Sequence, residues 1–481
     1  MDLTVLPQIA IIGSGFGGVC LAIRLKKAGI EDFTIYERAD DVGGVWRDNT
    51  YPGAACDVPS RMYSYSFEAG FPWSERFGGQ AEILAYLKHC VEKYDIRPHI
   101  RFGQDIREAA FDEGTSKWCL QSADGATIEA EICVSAVGLF NQPRMPDIPG
   151  RELFDGPQFH SARWDHDCNL EGRTVAVIGT GASAIQFVPA IAPSVGRLLV
   201  FQRSSQYVMP RDARPVPIRP GMLAGLRYRL ERFRIYADAE KRSRRRGSPK
   251  MTAEGQAAFA ERLKREVPNP ELRRKLTPSY PLGCKRVLQS NDWYPAMQRS
   301  NVELIDTEVT EVTSGALRAG DGKLWPADVI VYGTGFTPTR YLTPMKITGL
   351  GGADLNDAWR DGAEAYLGMA VSGFPNFFMM YGPNTNIAGS IIFMLESQAR
   401  YIVNAVRTLR RGARRMMVRE SVQRRFNERI QARLGRTVLV AETCHSYFQD
   451  PSGKITTQWP GFMLEYRQKT RKIRRGDYEF T

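Results

Sequence analysis

The chain has 481 residues and a formal net charge of +12, with 43% hydrophobic and 25% charged residues. This composition is ordinary for a folded globular protein and excludes global disorder. No apolar run reaches the roughly 18 residues that a membrane-spanning helix needs. Residues 1–4 lack the basic start of a signal peptide, so we expect a cytoplasmic protein.

The cysteine and histidine patterns argue against a metal site. The eight cysteines are widely spaced and contain no C-x-x-C pair. We therefore expect free thiols in a reducing compartment rather than a zinc site or a dithiol redox centre. The five histidines also lack the spacing of metal ligands, so no metal is expected.

An apolar run at residues 8–12 leads into the sequence GSGFGG, which fits the pattern G-x-G-x-x-G. A helix-like stretch follows, and then a second apolar run ends at Glu37. Glycines let the backbone approach a pyrophosphate at a helix N-terminus, and an acid can bind ribose hydroxyls. This order of elements predicts a dinucleotide site for FAD, held by Gly13, Gly15, Gly18 and Glu37.

The same pattern recurs over residues 174–203, where an apolar run leads into the sequence GTGASA. Here the second apolar run ends at Arg203, at the distance from the first glycine that Glu37 has in the first unit. A carboxylate there would repel a 2′-phosphate, whereas a guanidinium can bind it with two hydrogen bonds. The second site is therefore predicted to take NADP, with Gly179, Gly181 and Ser183 in its turn.

Two dinucleotide sites in one chain indicate a flavin that exchanges electrons with a nicotinamide. The predicted fold is α/β, with two Rossmann-like dinucleotide-binding domains for FAD and NADP and a helical insertion in the NADP domain. Two further strand-plus-glycine segments, 132–138 and 328–336, are expected in an interrupted FAD domain. The predicted boundaries are FAD domain 1–142 and 336–481, linker 143–165, and NADP domain 166–335 with its insertion at about 211–275.

Two longer motifs are more specific than the glycine turns. Residues 154–165 fit F-x-G-x-x-x-H-x-x-x-W-D, and residues 43–57 fit G-G-x-W-x-x-x-x-Y-P-G-x-x-x-D. Both resemble fingerprints of the type I Baeyer–Villiger monooxygenases, which are class B flavoprotein monooxygenases. Matching segments run in the expected order from residue 9 to about 384, which covers most of the chain.

The resemblance implies an enzyme that uses NADPH and O2 to convert a ketone to an ester or lactone through a C4a-peroxyflavin. An N- or S-oxygenating flavin monooxygenase is the alternative. Those relatives usually lack the Trp-Asp pair that stands here at Trp164 and Asp165. Product analysis with a ketone and a thioether would separate these two. A flavoprotein that does not oxygenate is a third hypothesis, and it would consume no oxygen with any ketone.

The resemblance also implies roles for individual residues. Arg286 would stabilise the peroxide and the anionic adduct, Asp57 would pair with Arg286, and Lys285 would reach the NADP phosphate. His160 is predicted to act from the interdomain linker, more as a packing residue than as a proton-transfer group. The remaining predicted cofactor contacts are Trp46, Ser204 and Asn384. In the late loop 444–448, Tyr447 stands where many relatives have a tryptophan.

Two segments carry net charges of +11 and +10, so the rest of the chain is net negative. Residues 211–275 contain 19 Lys and Arg against 8 Asp and Glu, and residues 400–436 contain 12 Arg against 2 Glu. A solvated helix face explains such segments best, and no nucleic-acid motif accompanies them. A weak peripheral contact with an anionic membrane is the alternative. The sequence does not indicate which ketone is used or the oligomeric state.

Overall fold

The computed structural model describes residues 8–481 except 214, 216–223, 246–248 and 388. The start of the chain on which the signal-peptide expectation rests therefore lies outside the described residues, as do parts of the predicted insertion. In the described part of the chain, none of the helices is both long enough and apolar enough to cross a bilayer.

The described strands are mostly short and buried. They are β1 Ile9–Ile12, β2 Phe33–Tyr36, β3 Ile100–Arg101, β4 Ile106–Asp112, β5 Lys117–Ser122, β6 Thr127–Ala130, β7 Ile132–Ser135, β8 Gln158–His160, β9 Thr174–Ile178, β10 Arg197–Phe201, β11 Val208–Met209, β12 Leu288–Gln289, β13 Val302–Ile305, β14 Val309–Val312, β15 Ala316–Ala319, β16 Leu324–Pro326, β17 Val329–Tyr332, β18 Lys346–Thr348, β19 Phe377–Met379, β20 Met416–Val418 and β21 Tyr478–Phe480.

The described α-helices are α1 Phe16–Lys26, α2 Val45–Asp48, α3 Gln80–Lys93, α4 Ala184–Ile191, α5 Ala224–Arg245, α6 Pro249–Glu266, α7 Pro270–Lys275, α8 Trp293–Met297, α9 Leu355–Ala358, α10 Ile391–Leu409, α11 Glu420–Leu434 and α12 Met463–Lys469. Short 3₁₀ helices cover Arg97–His99, Arg151–Leu153, Ser161–Arg163, Leu350–Gly352, Val438–Val440 and Arg475–Asp477.

The first large sheet has the order β19-β7-β1-β2-β3, and all its neighbours are parallel. Its strands β1 and β7 are buried along their whole length, which explains their uninterrupted apolar sequences. Helices α1, α3 and α10 contribute to the apolar cluster on one face. The antiparallel strands β4, β5 and β6, with β18, pack on the other face.

The second large sheet has the order β13-β10-β9-β17-β8 and is also parallel. Helices α4 and α8 cover one face, and the antiparallel strands β14, β15 and β16 cover the other. Each large sheet therefore carries one glycine-rich turn, after β1 and after β9. The predicted fold class, two Rossmann-like units with a helical insertion, is confirmed.

One expectation about the sheets is wrong. Segment 328–336 is predicted to support the FAD domain, although the predicted boundary at residue 335 assigns nearly all of it to the NADP domain. Its strand β17 lies in the second sheet beside β9, which contradicts the first of these two expectations. The pairing is fixed at Asp328, whose backbone N–H donates to the Thr174 carbonyl at 2.8 Å and whose carboxylate accepts from the Thr174 N–H at 2.7 Å. An apolar strand of the sequence VIVY suits either buried sheet, so the tertiary partner decides its place. The linker also supplies β8, the edge strand of the second sheet.

The cysteine expectation is also wrong for one pair. Cys284 and Cys444 form a disulfide across 160 residues of sequence, with their Cα atoms 5.5 Å apart. The pairing depends on two distant loops meeting in space, which cysteine spacing along the chain cannot show. The other six cysteines are free thiols.

Candidate active site

A cleft of about 2470 Å³ lies between the two parallel sheets. Both glycine-rich turns open into it, because each follows the carboxyl end of a parallel strand, where ligands bind in open α/β sheets. Of the predicted site residues, Gly13, Gly15, Glu37, Trp46, Asp57, Gly179, Gly181, Ser183, Arg203, Ser204, Lys285 and Arg286 line the cleft. Gly18, His160 and Asn384 do not.

The first turn is shaped by its glycines. Gly13 has φ +104°, and a Cβ there would lie 2.9 Å from the Ala136 carbonyl oxygen. At Gly18 a Cβ would overlap the Gly13 carbonyl oxygen, so this glycine lets α1 pack against β1. Gly15 has only the Gly44 Cα nearby, at 3.8 Å, and leaves room for a ligand at the start of α1. The turn fits a pyrophosphate.

Glu37 joins several parts of the first site. Its buried carboxylate accepts hydrogen bonds from the Ser14 N–H and the Ser14 hydroxyl, both at 2.8 Å. The Ala39 N–H and Arg47 Nη1 also donate to it, each at 3.1 Å. Glu37 therefore fixes the glycine turn, the end of β2 and one residue of the 43–57 motif in a single network.

The second turn is more open. Gly179 has φ +108°, and a Cβ there would lie 2.5 Å from the Gly333 carbonyl oxygen. Among the described residues, no atom outside its chain neighbours lies within 4 Å of a Cβ position at Gly181, so the backbone is accessible. Ser183 stands at the N-cap of α4. This turn also fits a pyrophosphate, with the helix N-terminus facing the cleft.

A basic pair stands beside the second turn. The Lys285 ammonium donates to the Ser204 hydroxyl at 2.8 Å and lies 4.5 Å from the centre of the Tyr280 ring. Burial and the like charge of Arg203 lower the pKa of Lys285. In the described part of the chain, neither Arg203 nor Lys285 has a carboxylate within salt-bridge distance. A phosphate between them would relieve this repulsion.

Arg286 and Asp57 form a two-pronged ion pair in the cleft. Arg286 Nε donates to Asp57 Oδ2 at 3.0 Å, and Nη2 donates to Oδ1. The Arg286 side chain is 42% exposed, so its outer edge remains open to the cleft. The Asp57 charge raises the pKa of Arg286 further. Loss of water around the Tyr447 hydroxyl raises its pKa, although the residue as a whole is 42% exposed, and the neighbouring Arg286 opposes this shift.

The 43–57 motif contacts the second unit through a residue that the sequence did not single out. Gln186, on α4, accepts a hydrogen bond from the Tyr51 hydroxyl at 3.0 Å and donates to the Ala55 carbonyl at 3.0 Å. In the sequence, Gln186 stands out only as a polar residue inside the apolar helix sequence AIQFVPAI. At the other end of the motif, the Trp46 indole N–H donates to the Tyr63 hydroxyl at 2.9 Å.

His160 and Trp164 lie behind the cleft wall. His160 is buried at the end of β8, opposite Tyr332, and its Nδ1 accepts from the Ala162 N–H at 3.0 Å. Burial lowers the pKa of His160 to about 4, so the ring is neutral near pH 7. The Trp164 ring packs against Phe159 and Phe187, with centroid distances of 5.2 and 5.3 Å. Both residues therefore brace the linker against the second sheet.

Asn384 is buried and has φ +55°. Its side-chain amide donates to the carbonyls of Ile455 at 2.9 Å and Gln458 at 3.0 Å. These contacts hold the C-terminal segment in place beside the cleft. They give Asn384 a role in supporting the wall, and its proposed contact with a cofactor stays a prediction.

The chain was compared with known proteins. Residues 10–220 match the pyridine nucleotide-disulphide oxidoreductase family model. A Baeyer–Villiger monooxygenase of Streptomyces coelicolor is 41% identical over 98% of this chain and 92% of its own length. A Baeyer–Villiger monooxygenase of Pseudomonas aeruginosa is 40% identical over 98% of this chain and 91% of its own length.

Among solved structures, OTEMO in complex with FAD and NADP superposes with a TM-score of 0.90 at 25% identity, covering 99% of this chain and 100% of that one. The sequence similarity spans both glycine turns, both longer motifs and the Lys285–Arg286 pair. On this evidence the chain belongs to the Baeyer–Villiger monooxygenase family of FAD-containing, NADPH-dependent flavoproteins.

Proposed function

We propose that this enzyme converts a ketone to an ester or lactone, with Arg286 as its central charged group. The observation that carries the proposal is the Arg286–Asp57 pair, which faces the cleft between the two nucleotide turns. Bound FAD, once reduced by NADPH, supplies the activated oxygen for this chemistry. The residues of the chain bind the cofactors, exclude water and stabilise negative charge.

Arg286 is suited to this role because its guanidinium stays charged at any working pH. Asp57 holds the Nε and Nη2 edge, so the remaining N–H groups can point toward an oxygen anion in the cleft. A donor fixed in advance stabilises such an anion without reorganising during the reaction. Asp57 is therefore proposed as the positioning residue and Arg286 as the catalytic residue.

The nucleotide assignments follow the geometry of the two turns. FAD is proposed to contact Gly13, Gly15, Glu37 and Trp46, with Gly18 supporting the turn from behind. NADP is proposed to contact the turn at Gly179, Gly181 and Ser183, with its 2′-phosphate among Arg203, Ser204 and Lys285. We propose the boundaries predicted above for the FAD and NADP domains, with His160 bracing the linker between them.

Parallel incubation with ketones and thioethers tests the reaction type. We expect ketones to yield esters or lactones with consumption of NADPH and O2. Exclusive formation of sulfoxides would establish the alternative, an enzyme that oxidises sulfur or nitrogen. Oxidation of NADPH with hydrogen peroxide as the only product from every substrate would contradict both.

Helix α5 supports a second proposal, which is weak binding of the protein to a membrane surface. Leu226, Leu230 and Phe233 occupy one face of α5 and are 56%, 51% and 70% exposed. The exposed residues Arg227 and Arg234 flank this stripe. A basic helix with an exposed apolar stripe suits the surface of an anionic membrane. We propose a cytoplasmic enzyme with weak peripheral membrane contact and no nucleic-acid partner.

Vesicle co-sedimentation tests this contact. We expect binding to anionic vesicles but not to neutral ones, and loss of binding at high salt. The variant Phe233→Ser should weaken binding, whereas Leu153→Ser, at an exposed residue elsewhere, should not. Equal sedimentation with and without vesicles would indicate self-association and contradict the membrane contact.

A further inference from the structure

The disulfide joins two loops that face the cleft. Cys284 immediately precedes Lys285 and Arg286 in the arginine loop, residues 281–288. Cys444 lies in the C-terminal loop, residues 437–450, from which His445, Ser446 and Tyr447 line the cleft. The bond therefore connects the peptide that carries the catalytic arginine to the peptide that covers it.

Other connections between these loops are sparse. Gly283 approaches Val438, because a Cβ at Gly283 would lie 3.3 Å from the Val438 Cγ1. Tyr447 lies near enough to Arg286 for the guanidinium to oppose the rise in the pKa of its hydroxyl. Over the described residues of both loops, no further hydrogen bond or ion pair joins them. Without the disulfide, the arginine loop and the C-terminal loop would be joined by these contacts and by apolar packing alone. The C-terminal loop would keep its anchor at the far end, where the Thr457 hydroxyl donates to the Phe448 carbonyl at 3.3 Å and the Asp450 N–H donates to the Lys454 carbonyl at 2.9 Å.

The C-terminal loop has hydrogen bonds of its own. The Cys444 N–H donates to the Ala441 carbonyl at 2.7 Å, and the Gln449 side chain donates to the Leu439 carbonyl at 2.9 Å. These bonds lie within the loop and do not join it to the arginine loop. The two sulfur atoms belong to buried residues, 0% and 2% exposed, so a reagent reaches them only when the loop opens.

We propose that Cys284 and Cys444 are a reversible redox pair that fastens the C-terminal loop over Arg286. This inference rests on the proposed oxygenase function. Its oxidant is hydrogen peroxide, which a flavin oxygenase releases when water reaches the site and oxygen transfer fails. One thiolate attacks the peroxide, the O–O bond breaks, and a sulfenic acid and water form. The second thiol then displaces water from the sulfenic acid, giving the S–S bond.

The two sulfurs lose two electrons in total, and the peroxide becomes two molecules of water. An external dithiol reverses the reaction by thiol–disulfide exchange. Disulfides in a reducing compartment are usually transient and redox-sensing, which suits a pair that forms only when peroxide is released. The consequence is negative feedback. Hydrogen peroxide released from the active site oxidises the pair and closes the C-terminal loop, and the closed loop excludes water and so reduces further peroxide release.

Peptide mapping of the holoenzyme tests the chemistry directly. After reduction with dithiothreitol and treatment with hydrogen peroxide, a cross-linked peptide containing Cys284 and Cys444 should appear. Cys168, a half-buried free thiol that packs against the same apolar cluster, serves as the control. If both cysteines are alkylated to the same extent before and after peroxide, the redox pair is refuted whatever the enzyme oxidises.

Hydrogen exchange and peroxide release test the consequence. We expect amides of residues 437–450 to exchange about tenfold faster in the reduced protein than in the oxidised protein, because the loop opens locally. Peroxide released per NADPH consumed should rise about twofold or more on reduction, since an open site admits water. The variants Cys284→Ala and Cys444→Ala should resemble the reduced protein in both measurements, whereas Cys168→Ala should resemble the wild type.

The same exchange rate in both redox states would overturn the proposal even if the disulfide forms. If the alanine variants fail to fold, the comparison of oxidised and reduced wild type decides it. Cross-linking and hydrogen exchange need no ketone. A failure of the proposed ketone oxidation would therefore leave both results interpretable.

Discussion

The first glycines of the two turns have similar φ angles, +104° at Gly13 and +108° at Gly179, but the residue that ends the following strand is held differently in each turn. Glu37 is buried and accepts four hydrogen bonds from within the chain. Arg203 is exposed, and in the described part of the chain it has no carboxylate partner. The first turn is thus completed by the protein itself, whereas the second leaves positive charge for a ligand to neutralise. This suits a resident flavin and an exchanging nicotinamide.

The largest effect is expected at Arg286, which lies between the two turns. Arg286→Ala should lower the rate of ester formation by about 10²–10³, because a charge-stabilising donor is lost. FAD should remain bound and reducible by NADPH, since neither turn is altered. Steady-state assays of ester and peroxide, with flavin spectra, would check this. Arg286→Lys should recover only part of the rate, because the two-pronged pair with Asp57 is lost.

Arg203→Ala should remove a positive charge that the second turn leaves free for a phosphate. We expect KM for NADPH to rise about 10- to 100-fold, with little change for NADH, because a charge-assisted phosphate contact is lost. Kinetics with both cofactors would measure the difference. Arg299→Ala, at an exposed arginine outside the cleft, is the matched control. An equal increase for both cofactors would remove Arg203 from the 2′-phosphate site.

Glu37→Gln should weaken FAD binding at the first glycine turn. The loss of hydrogen bonds to a charged carboxylate costs about 1.5–3 kcal/mol, so FAD retention on dialysis should fall about tenfold or more. Glu131→Gln provides the control, because Glu131 accepts a hydrogen bond from the Gln8 N–H at 2.6 Å but lies outside the cleft. Retention that is equal in both variants would show that the internal network of Glu37 does not support flavin binding.

Substitution of His160 should have the smallest effect of these changes, because near neutral pH it alters the stability of the fold little. Its pKa is lowered to about 4 in the folded chain, against 6.5 for an ordinary histidine. Between these values the unfolded chain binds more protons, so stability falls by up to about 3 kcal/mol as pH drops from 6.5 to 4. Denaturant unfolding of wild type and His160→Gln across this range should show a shallower pH dependence for the variant. Parallel curves would assign the pH dependence to other groups.

Most structural features that depend on a local sequence pattern could be predicted from the sequence. The glycine turns, the apolar strands and the residues that line the cleft followed from spacing and from motif resemblance. Features that depend on contacts between distant parts of the chain could not be predicted from the sequence. Strand β17 could pair with either sheet, Cys284 and Cys444 are brought together only by folding, and Gln186 has no motif to mark it. The burial of Asn384 behind the cleft wall was equally hidden.

The enzyme is expected to transfer one oxygen atom from O2 to a ketone. Incubating the wild-type holoenzyme with NADPH, oxygen-18 gas and linear, cyclic, aromatic and steroid-like ketones tests this most directly. We predict an ester or lactone that carries one oxygen-18 atom, formed in proportion to the NADPH consumed in a coupled reaction. Recovery of every ketone unchanged, with all the label in hydrogen peroxide and water, would contradict the account.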